Sequence, residues 1–172
     1  MKKVIRCGLS TRDIDQAIRE LENCKQDLVK KSNLLRQKLA DRIAVLAQSG
    51  FEGAVIDDLL RGGARTAEVS VVVTSTEKVS LVIASGGDAV WVEFGAGVYH
   101  NGSAGSSPHP NGSELGFTIG SYGKGRGDRE VWGFYEAGEL ILTHGAPAVM
   151  PMYNAVKTVC DEIDDVAREV FG

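Results

Sequence analysis

Residues 11–48 read TRDIDQAIRELENCKQDLVKKSNLLRQKLADRIAVLAQ, and this stretch decides the fold. Apolar residues recur in it at steps of three, four and seven, the period of an amphipathic helix, and Ser10 or Thr11 is placed to cap that helix. Lys25 and Ser32 interrupt the apolar stripe. Its members are Ile14, Ile18, Leu21, Leu28, Leu35, Leu39, Ile43 and Leu46.

The length of this helix is its second informative property. Without a break it would measure about 57 Å, whereas a compact chain of 172 residues is about 40 Å across. The helix therefore either breaks near residues 30–33 or extends beyond its own domain. An amphipathic helix that projects in this way needs a partner for its apolar face.

The elements that follow are shorter. Residues 49–50, a Ser-Gly pair, are expected to end the helix, and residues 51–60 have the pattern of a second, short helix closed by the glycines at 62–63. Two β-branched runs, residues 67–74 and 78–84, flank a polar turn. They predict a hairpin.

Further strands and a closing helix complete the pattern. Alternation over residues 89–94 predicts a third strand, and strands are also predicted at 130–135 and 140–143. Pro151 is a favourable first residue for a C-terminal helix. The fold class expected is α+β, with a long N-terminal helix, a small antiparallel sheet carrying a long Gly-rich inserted loop, and a closing C-terminal helix.

The sheet and the closing helix are expected to share one core, because the strands have no other long apolar surface to cover them. On the strands the residues concerned are Val71, Val73, Leu81, Ile83 and Val92, and on the helix they are Val156, Val159, Ile163 and Val166.

Composition and charge narrow the class of protein. A hydrophobic content of 43% with 24% charged residues excludes wholesale disorder, and no apolar run is long enough for a transmembrane helix. Three distant cysteines fit neither a disulfide framework nor a zinc site, so a reducing cytoplasm is expected. Residues 1–50 carry 11 basic and 6 acidic side chains, and residues 51–172 carry 8 and 17. We expect a basic N-terminal helical arm at 1–50 that guides self-association, and an acidic α+β body at 51–172.

Residues 95–128 form a glycine-rich stretch in which ten of 34 residues are glycine. Ordering such a loop costs about 1–2 kcal/mol per residue, and it holds few large apolar side chains to offset that cost. We therefore expect a loop that is mobile in the free subunit and ordered against neighbouring proteins. The candidate contact residues for partner assembly are Tyr99, Phe117, Tyr122, Lys124 and Arg126.

Catalytic and ligand-binding motifs are weak. The three histidines lack the spacing of metal ligands on rigid elements, and no helix follows the phosphate-loop-like residues 123–128, so no metal or cofactor is predicted. One alternative function is a small cytoplasmic hydrolase that uses His144 with Cys160 or Glu93. The simpler interpretation is that His144 caps a turn at a strand end and that Glu93 is either partnered or facing solvent.

Two short motifs carry more information than any catalytic pattern. Residues 92–97 read VEFGAG and residues 143–155 read THGAPAVMPMYNA, with the glycine-rich stretch and Trp132 between them. Their order and spacing resemble the minor tail component or tail-completion family of long-tailed bacteriophages, the gene-product-ten-like neck proteins. Ala96 departs from that family, in which threonine is common there. The motif residues are Glu93, Phe94, Gly95, Gly97, His144, Gly145, Pro147, Pro151, Tyr153 and Asn154.

The resemblance implies a structural virion protein without catalytic residues or cofactor, located at the head-to-tail junction or in the upper tail. It implies a homo-oligomeric ring, expected to be a hexamer, that contacts neighbouring neck, tail-terminator or tail-tube proteins after assembly in the host cytoplasm. DNA in the lumen would be contacted non-specifically at most, and no membrane partner is implied. An adaptor that binds a partner transiently is a third possibility beside the ring protein and the hydrolase.

Overall fold

The computed structural model describes residues 4–5, 7–58, 60, 62–97, 107–117 and 131–172. Its dominant element is α1 (Thr11–Glu52), a continuous helix of 42 residues that is about 63 Å long. Ser10 is its N-cap and accepts a hydrogen bond from the amide of Asp13 at 3.1 Å. The helix has no break at residues 30–33. Of the two alternatives, the helix that extends beyond its domain is the one observed.

The expected end of α1 at residues 49–50 is wrong, and a tertiary contact explains why a glycine occurs there. A Cβ atom at Gly50 would lie 2.9 Å from the Cβ of Pro151, so only glycine lets the two segments approach this closely. The helix ends at Glu52 with Gly53 as its C-cap: the amide of Gly53 donates to the carbonyl of Ser49 and the amide of Ala54 donates to that of Phe51. Phe51 therefore belongs to α1, where it is buried.

The second short helix expected at residues 51–60 is also wrong. The chain forms a hairpin of β1 (Val55–Asp58) and β2 (Gly63–Thr66), and Gly62 has a φ of +66° in the turn. Val55 is exposed and Ile56 is buried, which is the two-residue period of a strand with one covered face. The next hairpin, β3 (Ser70–Ser75) with β4 (Ser80–Ser85), confirms the prediction for this region.

The third strand predicted at residues 89–94 is wrong, because this segment forms the helix α2 (Ala89–Phe94). Ala89, Val92 and Glu93 are buried, and that i, i+3, i+4 spacing places them on one side of a helix. Gly95 then ends the helix with a φ of +79°. The β-branched composition is outweighed by the contacts that α2 makes with later parts of the chain.

In the C-terminal half of the chain the predicted strands and helix are present. β5 (Ala96–Gly97) pairs with β8 (Gly145–Ala146), two short strands that were not predicted. Between them in the sequence, β6 (Trp132–Glu136) pairs with β7 (Glu139–Thr143), which confirms the strands predicted at 130–135 and 140–143. α3 (Pro151–Phe171) closes the chain. Among the described residues all strand pairing is antiparallel and forms four two-stranded sheets, so the α+β class is confirmed.

The core lies where α1, β1, α2 and β8 meet. Its fully buried apolar members are Phe51, Ala54, Ile56, Val92 and Ala146. The expected core shared by the sheet and α3 is found only in part: Val71 of β3 and Met152 of α3 both pack against this cluster, whereas Leu81, Ile83, Val156 and Ile163 are between 43% and 53% exposed. The reason is the length of α1, which provides the surface against which both the β3–β4 hairpin and α3 pack.

α3 runs antiparallel to the C-terminal part of α1. Pro151 lies against Gly50, and ion pairs join Arg42 to Glu162 and Lys38 to Glu169. The apolar residues that α3 buries are Ala155, Val159 and Val170.

This packing predicts a contrast between two residues of α3. Val159→Ala is expected to lower the free energy of unfolding by about 2 kcal/mol, because it empties space between packed helices. Ile163→Ala is expected to cost at most about 0.5 kcal/mol, because that side chain is 44% exposed. Urea unfolding followed by circular dichroism measures both. An equal or larger loss for Ile163→Ala would show that α3 is rotated relative to this packing.

The N-terminal part of α1 projects from the body, and we call residues 11–34 the arm. Contact with the body is established at Arg36, whose guanidinium donates to the carbonyls of Thr76 at 2.8 Å and Glu77 at 2.9 Å. The arm is about 36 Å long. The exposed apolar side chains on it are Ile14, Ile18, Leu21, Leu28, Val29 and Leu34.

Within the basic N-terminal segment 1–50, the positive charge is unevenly distributed. The arm carries five basic and five acidic side chains, so its charges cancel. The basic excess of residues 1–50 therefore comes from Lys2, Lys3 and Arg6, which precede the arm, and from residues 35–50. In the latter range Arg36, Lys38 and Arg42 bond to the body of the same chain. In the part of the chain that the structure describes, no helix is both long and apolar enough to cross a bilayer.

Candidate functional site

Glu93 joins the two motif segments. Its carboxylate accepts hydrogen bonds from the amides of Met152 at 2.8 Å and Tyr153 at 2.9 Å, in the first turn of α3. The N-cap residue of α3, Met150, makes no side-chain capping bond, so the first-turn amides would otherwise lack partners. A negative charge at a helix N-terminus is also favoured by the helix dipole. Glu93, on α2, thus caps the N-terminus of α3. Of the two alternatives for this residue, partnered or facing solvent, the partnered one is observed.

The backbone of the same region ties the motifs together. The carbonyl of Val92 accepts from the amides of Val149 at 2.9 Å and Met150 at 3.4 Å. Directly after α2, Ala96 pairs with Ala146 and Gly97 with Gly145 in the β5–β8 ladder. Residues 92–97 and 145–153 therefore form one structural unit, which we call the junction.

His109 adds a side chain from the glycine-rich stretch to the junction. Its Nε2 lies 3.3 Å from Oε1 of Glu93, and its Nδ1 accepts from the amide of Asn111 at 3.1 Å. Because Nδ1 is an acceptor, the proton of the neutral ring is on Nε2 and points toward the carboxylate. His109 and Glu93 are both buried. This contact attaches residues 107–117 to the base of α3.

Aromatic rings pack around the same contact. The ring of Phe94 stacks on Phe117 with centroids 3.9 Å apart and lies 4.4 Å from His109, which in turn meets the edge of Tyr153 at 5.3 Å. The hydroxyl of Ser107 donates to the carbonyl of Phe94. Within the glycine-rich stretch, residues 107–117 are therefore in contact with Phe94 and Glu93 of the same chain, and ordering of the loop against neighbouring proteins stays a prediction.

A second polar cluster lies between β1 and the end of β7. The carboxylate of Asp57 accepts from the Thr143 hydroxyl, from the amide of His144 at 3.1 Å, and contacts Nδ1 of His144 at 2.9 Å. Partial burial alone would raise the pKa of Asp57, but the hydrogen bonds from Thr143 and His144 outweigh it and lower that pKa below its usual value. His144 stands at the bend between β7 and β8, which agrees with the simpler interpretation of a turn-capping residue.

The lowered pKa of Asp57 predicts a pH-dependent contribution to stability. A carboxylate whose pKa is depressed by folding stabilises the protein above the pKa of the unfolded chain, and this stability is lost as the pH falls through the native pKa. Asp57→Asn is therefore expected to cost about 1–2 kcal/mol at neutral pH and less at an acidic pH below the usual pKa of an aspartate. Urea unfolding at both pH values measures the difference. Asp164→Asn, at an exposed position of α3, is the control, and a cost for Asp57→Asn that stays constant with pH would contradict the assignment.

A cavity of about 280 Å³ lies beside this cluster. Asp88 lies in its wall and is held by Arg65, with 2.9 Å between Nη2 of Arg65 and Oδ1 of Asp88. The remaining lining is mainly apolar: Ile56, Trp91, Ala96, Tyr135, Thr143, Gly145 and Ala146. Within the described part of the chain, no three His, Cys, Asp or Glu residues are grouped as metal ligands.

The structure brings some of the predicted site residues together and not others. Glu93, Phe94, Gly95, Gly97, Gly145, Pro151 and Tyr153 belong to the junction, and the side chain of Asn154 donates to the carbonyl of Val149 beside them at 3.0 Å. Pro147 is exposed next to β8. Of the predicted partner contacts, Phe117 is stacked on Phe94. Tyr99, Tyr122, Lys124 and Arg126 lie outside the described residues.

The trio of the hydrolase alternative is not assembled by contacts in the described residues. Glu93 bonds to α3 and His109, whereas the carboxylate that contacts His144 is Asp57. Cys160 is exposed on α3.

Sequence reasoning missed Asp57 and the role of His109. Asp57 carries no local signal, because its partner His144 is 87 residues away. His109 does carry one: the prolines at 108 and 110 restrict the backbone around a histidine within an otherwise glycine-rich stretch. A backbone restricted in this way on both sides of His109 indicates that the histidine has a fixed position.

Comparisons of this chain with protein-family models, with curated proteins and with solved structures found no match. The assignment of function therefore depends on the junction, the arm and the motif resemblance.

Proposed function

We propose that this protein is a structural component of the head-to-tail junction or upper tail of a long-tailed phage or phage-tail-like particle, where it assembles as a ring. The observation that carries the proposal is the Glu93 cap. The two motifs behind the resemblance are separated by residues 98–142, and the Glu93 carboxylate of the first motif accepts hydrogen bonds from the amides of Met152 and Tyr153 in the second. The two motifs thus form one structural unit, which supports treating them as a single signature.

The arm supports an assembly role from a separate observation. Six large apolar side chains on it are exposed, and they lie on a helix that projects away from the body. Exposed apolar surface of this kind marks sites of protein–protein contact. A subunit that contacts copies of itself and neighbouring rings uses such a surface, whereas a monomeric enzyme has no need of it.

The hydrolase alternative receives less support from the geometry. Asp57 could orient His144 as an acid orients a general base, but the described contacts bring no nucleophile to that ring. Glu93, the other residue of the alternative, is engaged by two amides of α3.

Purified particles provide the test. If the proposal is correct, mass spectrometry of particles finds the protein at a fixed, low copy number relative to the capsid protein. Deletion of its gene is expected to give heads and tails that are not joined, and the wild-type gene is expected to restore joining.

Two comparisons separate the alternatives. His144→Ala is expected to support normal particle yield, and a variant that enters particles without supporting infectivity would favour the hydrolase. Absence of the protein from purified particles would contradict the structural role and favour a transient adaptor.

A further inference from the structure

The apolar stripe of α1 is covered along only part of its length. Between Leu35 and Gly50 the helix packs along α3, whose last residues pair with Lys38 through Glu169. Toward the N-terminus the stripe continues on the arm without any described element over it. Ile14, Leu21 and Leu28 are 44%, 58% and 57% exposed. The uncovered face has the same apolar character as the face that α3 binds.

The arm residues follow a seven-residue repeat. Ile14, Leu21, Leu28 and Leu35 are spaced by seven and occupy the a positions of a heptad. The d positions hold Ala17, Cys24 and Lys31, and the first two are small enough to allow two helices to approach closely. A repeat of 3.5 residues per turn is the pattern of a helix that packs against another helix.

The residues that flank the a and d positions, which form the seam of a helix pair, indicate whether two arms pair in parallel or antiparallel. Three of the four g positions are acidic, at Asp13, Glu20 and Asp27, and the fourth is Leu34, whereas the e positions are Ile18, Lys25 and Ser32. In a parallel pair, g faces e of the other helix, so Glu20 of each copy meets Lys25 of the other. In an antiparallel pair, g faces g, and the acidic flanks repel each other. Charge complementarity therefore favours two parallel copies of the arm.

We infer that the arm binds the arm of a second copy of this chain, as a parallel pair in register through Ile14, Leu21 and Leu28. The pairing goes beyond the proposed function: an in-register parallel pair has a twofold axis along the arms, so it joins subunits two by two and does not join each neighbour in a ring to the next. The paired arms form a contact between two subunits that is independent of contacts between their bodies.

Disulfide trapping in the full-length chain tests this pairing. A cysteine-free background is made with Cys7→Ser, Cys24→Ala and Cys160→Ser, and Ala17→Cys or Asn23→Cys is added. Residue 17 faces its own copy only in a parallel pair in register, and residue 23 lies on the outer side of the arm. Under mild oxidation the Ala17→Cys chain is expected to form a covalent dimer at a yield at least about tenfold above that of the Asn23→Cys chain.

Charge and seam variants test the contacts within the pair. Leu21→Glu with Leu28→Glu is expected to reduce the Ala17→Cys cross-link about tenfold, whereas Val45→Glu, at an exposed apolar position outside the arm, leaves it unchanged. Glu20→Lys and Lys25→Glu are each expected to weaken the cross-link, and the two together restore it. Equal yields from residues 17 and 23, or a cross-link unaffected by the seam variant, would overturn the pairing.

The outcome is separable from that of the proposed function. Particles that contain the protein while residue 17 does not cross-link would leave the phage role in place and refute the arm pair. Cross-linking at residue 17 by a protein that is absent from particles would support the arm pair and refute the phage role.

Discussion

Replacing Glu93 with alanine is expected to lower the free energy of unfolding by about 3 kcal/mol. The change removes the acceptor for two amides at the start of α3, and Met150 offers no side chain to replace it. It also leaves Nε2 of the buried His109 without its partner. Guanidinium unfolding followed by circular dichroism measures the loss.

Two further variants define this result. Glu93→Gln keeps one acceptor oxygen and is expected to lose about 1–2 kcal/mol. Glu22→Ala, an exposed acidic residue of the arm, is the matched control and is expected to change stability by less than about 0.5 kcal/mol. If Glu93→Ala were no more destabilising than Glu22→Ala, the carboxylate would not be the cap of α3.

Replacing Phe51 with alanine is expected to cost about 4 kcal/mol. Phe51 is 1% exposed and is the largest side chain of the core cluster, in which it is grouped with Ala54, Ile56 and Val92. The neighbours are small or β-branched and cannot move far enough to fill the cavity. Because Val92 directly precedes Glu93, the same change is expected to loosen the junction.

The measurement for Phe51→Ala is chemical unfolding combined with limited proteolysis of the 107–117 segment. Val45→Ala, at a 70% exposed position of the same helix, provides the control and is expected to be neutral within about 0.5 kcal/mol. A loss below about 1 kcal/mol for Phe51→Ala would mean that the core is centred elsewhere.

The local sequence pattern predicted those elements in which apolar residues recur at a regular spacing along one face. The apolar repeat of α1, the β-branched runs of the β3–β4 hairpin and the stripe after Pro151 each correspond to an observed element. The prediction failed for α2, since VWVEF has strand-like composition. Its helical form is associated with hydrogen bonds that Val92 and Glu93 accept from backbone amides of residues 149–153, and no local sequence pattern reveals such partners.

The candidate site could be predicted only in part, for the same physical reason. A glutamate between apolar neighbours has to be partnered if it is buried, and Glu93 is. Its partners are backbone amides 59 and 60 residues further along, and amides have no sequence identity to recognise. Gly50 shows the opposite case. A glycine after serine resembles a helix end, but here it makes room for Pro151.

The pairing of α1 with α3 also sets the order in which the chain can fold during synthesis. The two ion pairs between these helices join residues that are 131 and 120 positions apart. The ribosome has therefore released nearly the whole chain before α3 can cover its face of α1, and contacts of such long range make folding slow. The β3–β4 hairpin can pack on α1 earlier, but until α3 emerges the nascent helix exposes the apolar surface that α3 buries and is prone to aggregate or to bind chaperones. A chain truncated before residue 151 stays in that state permanently.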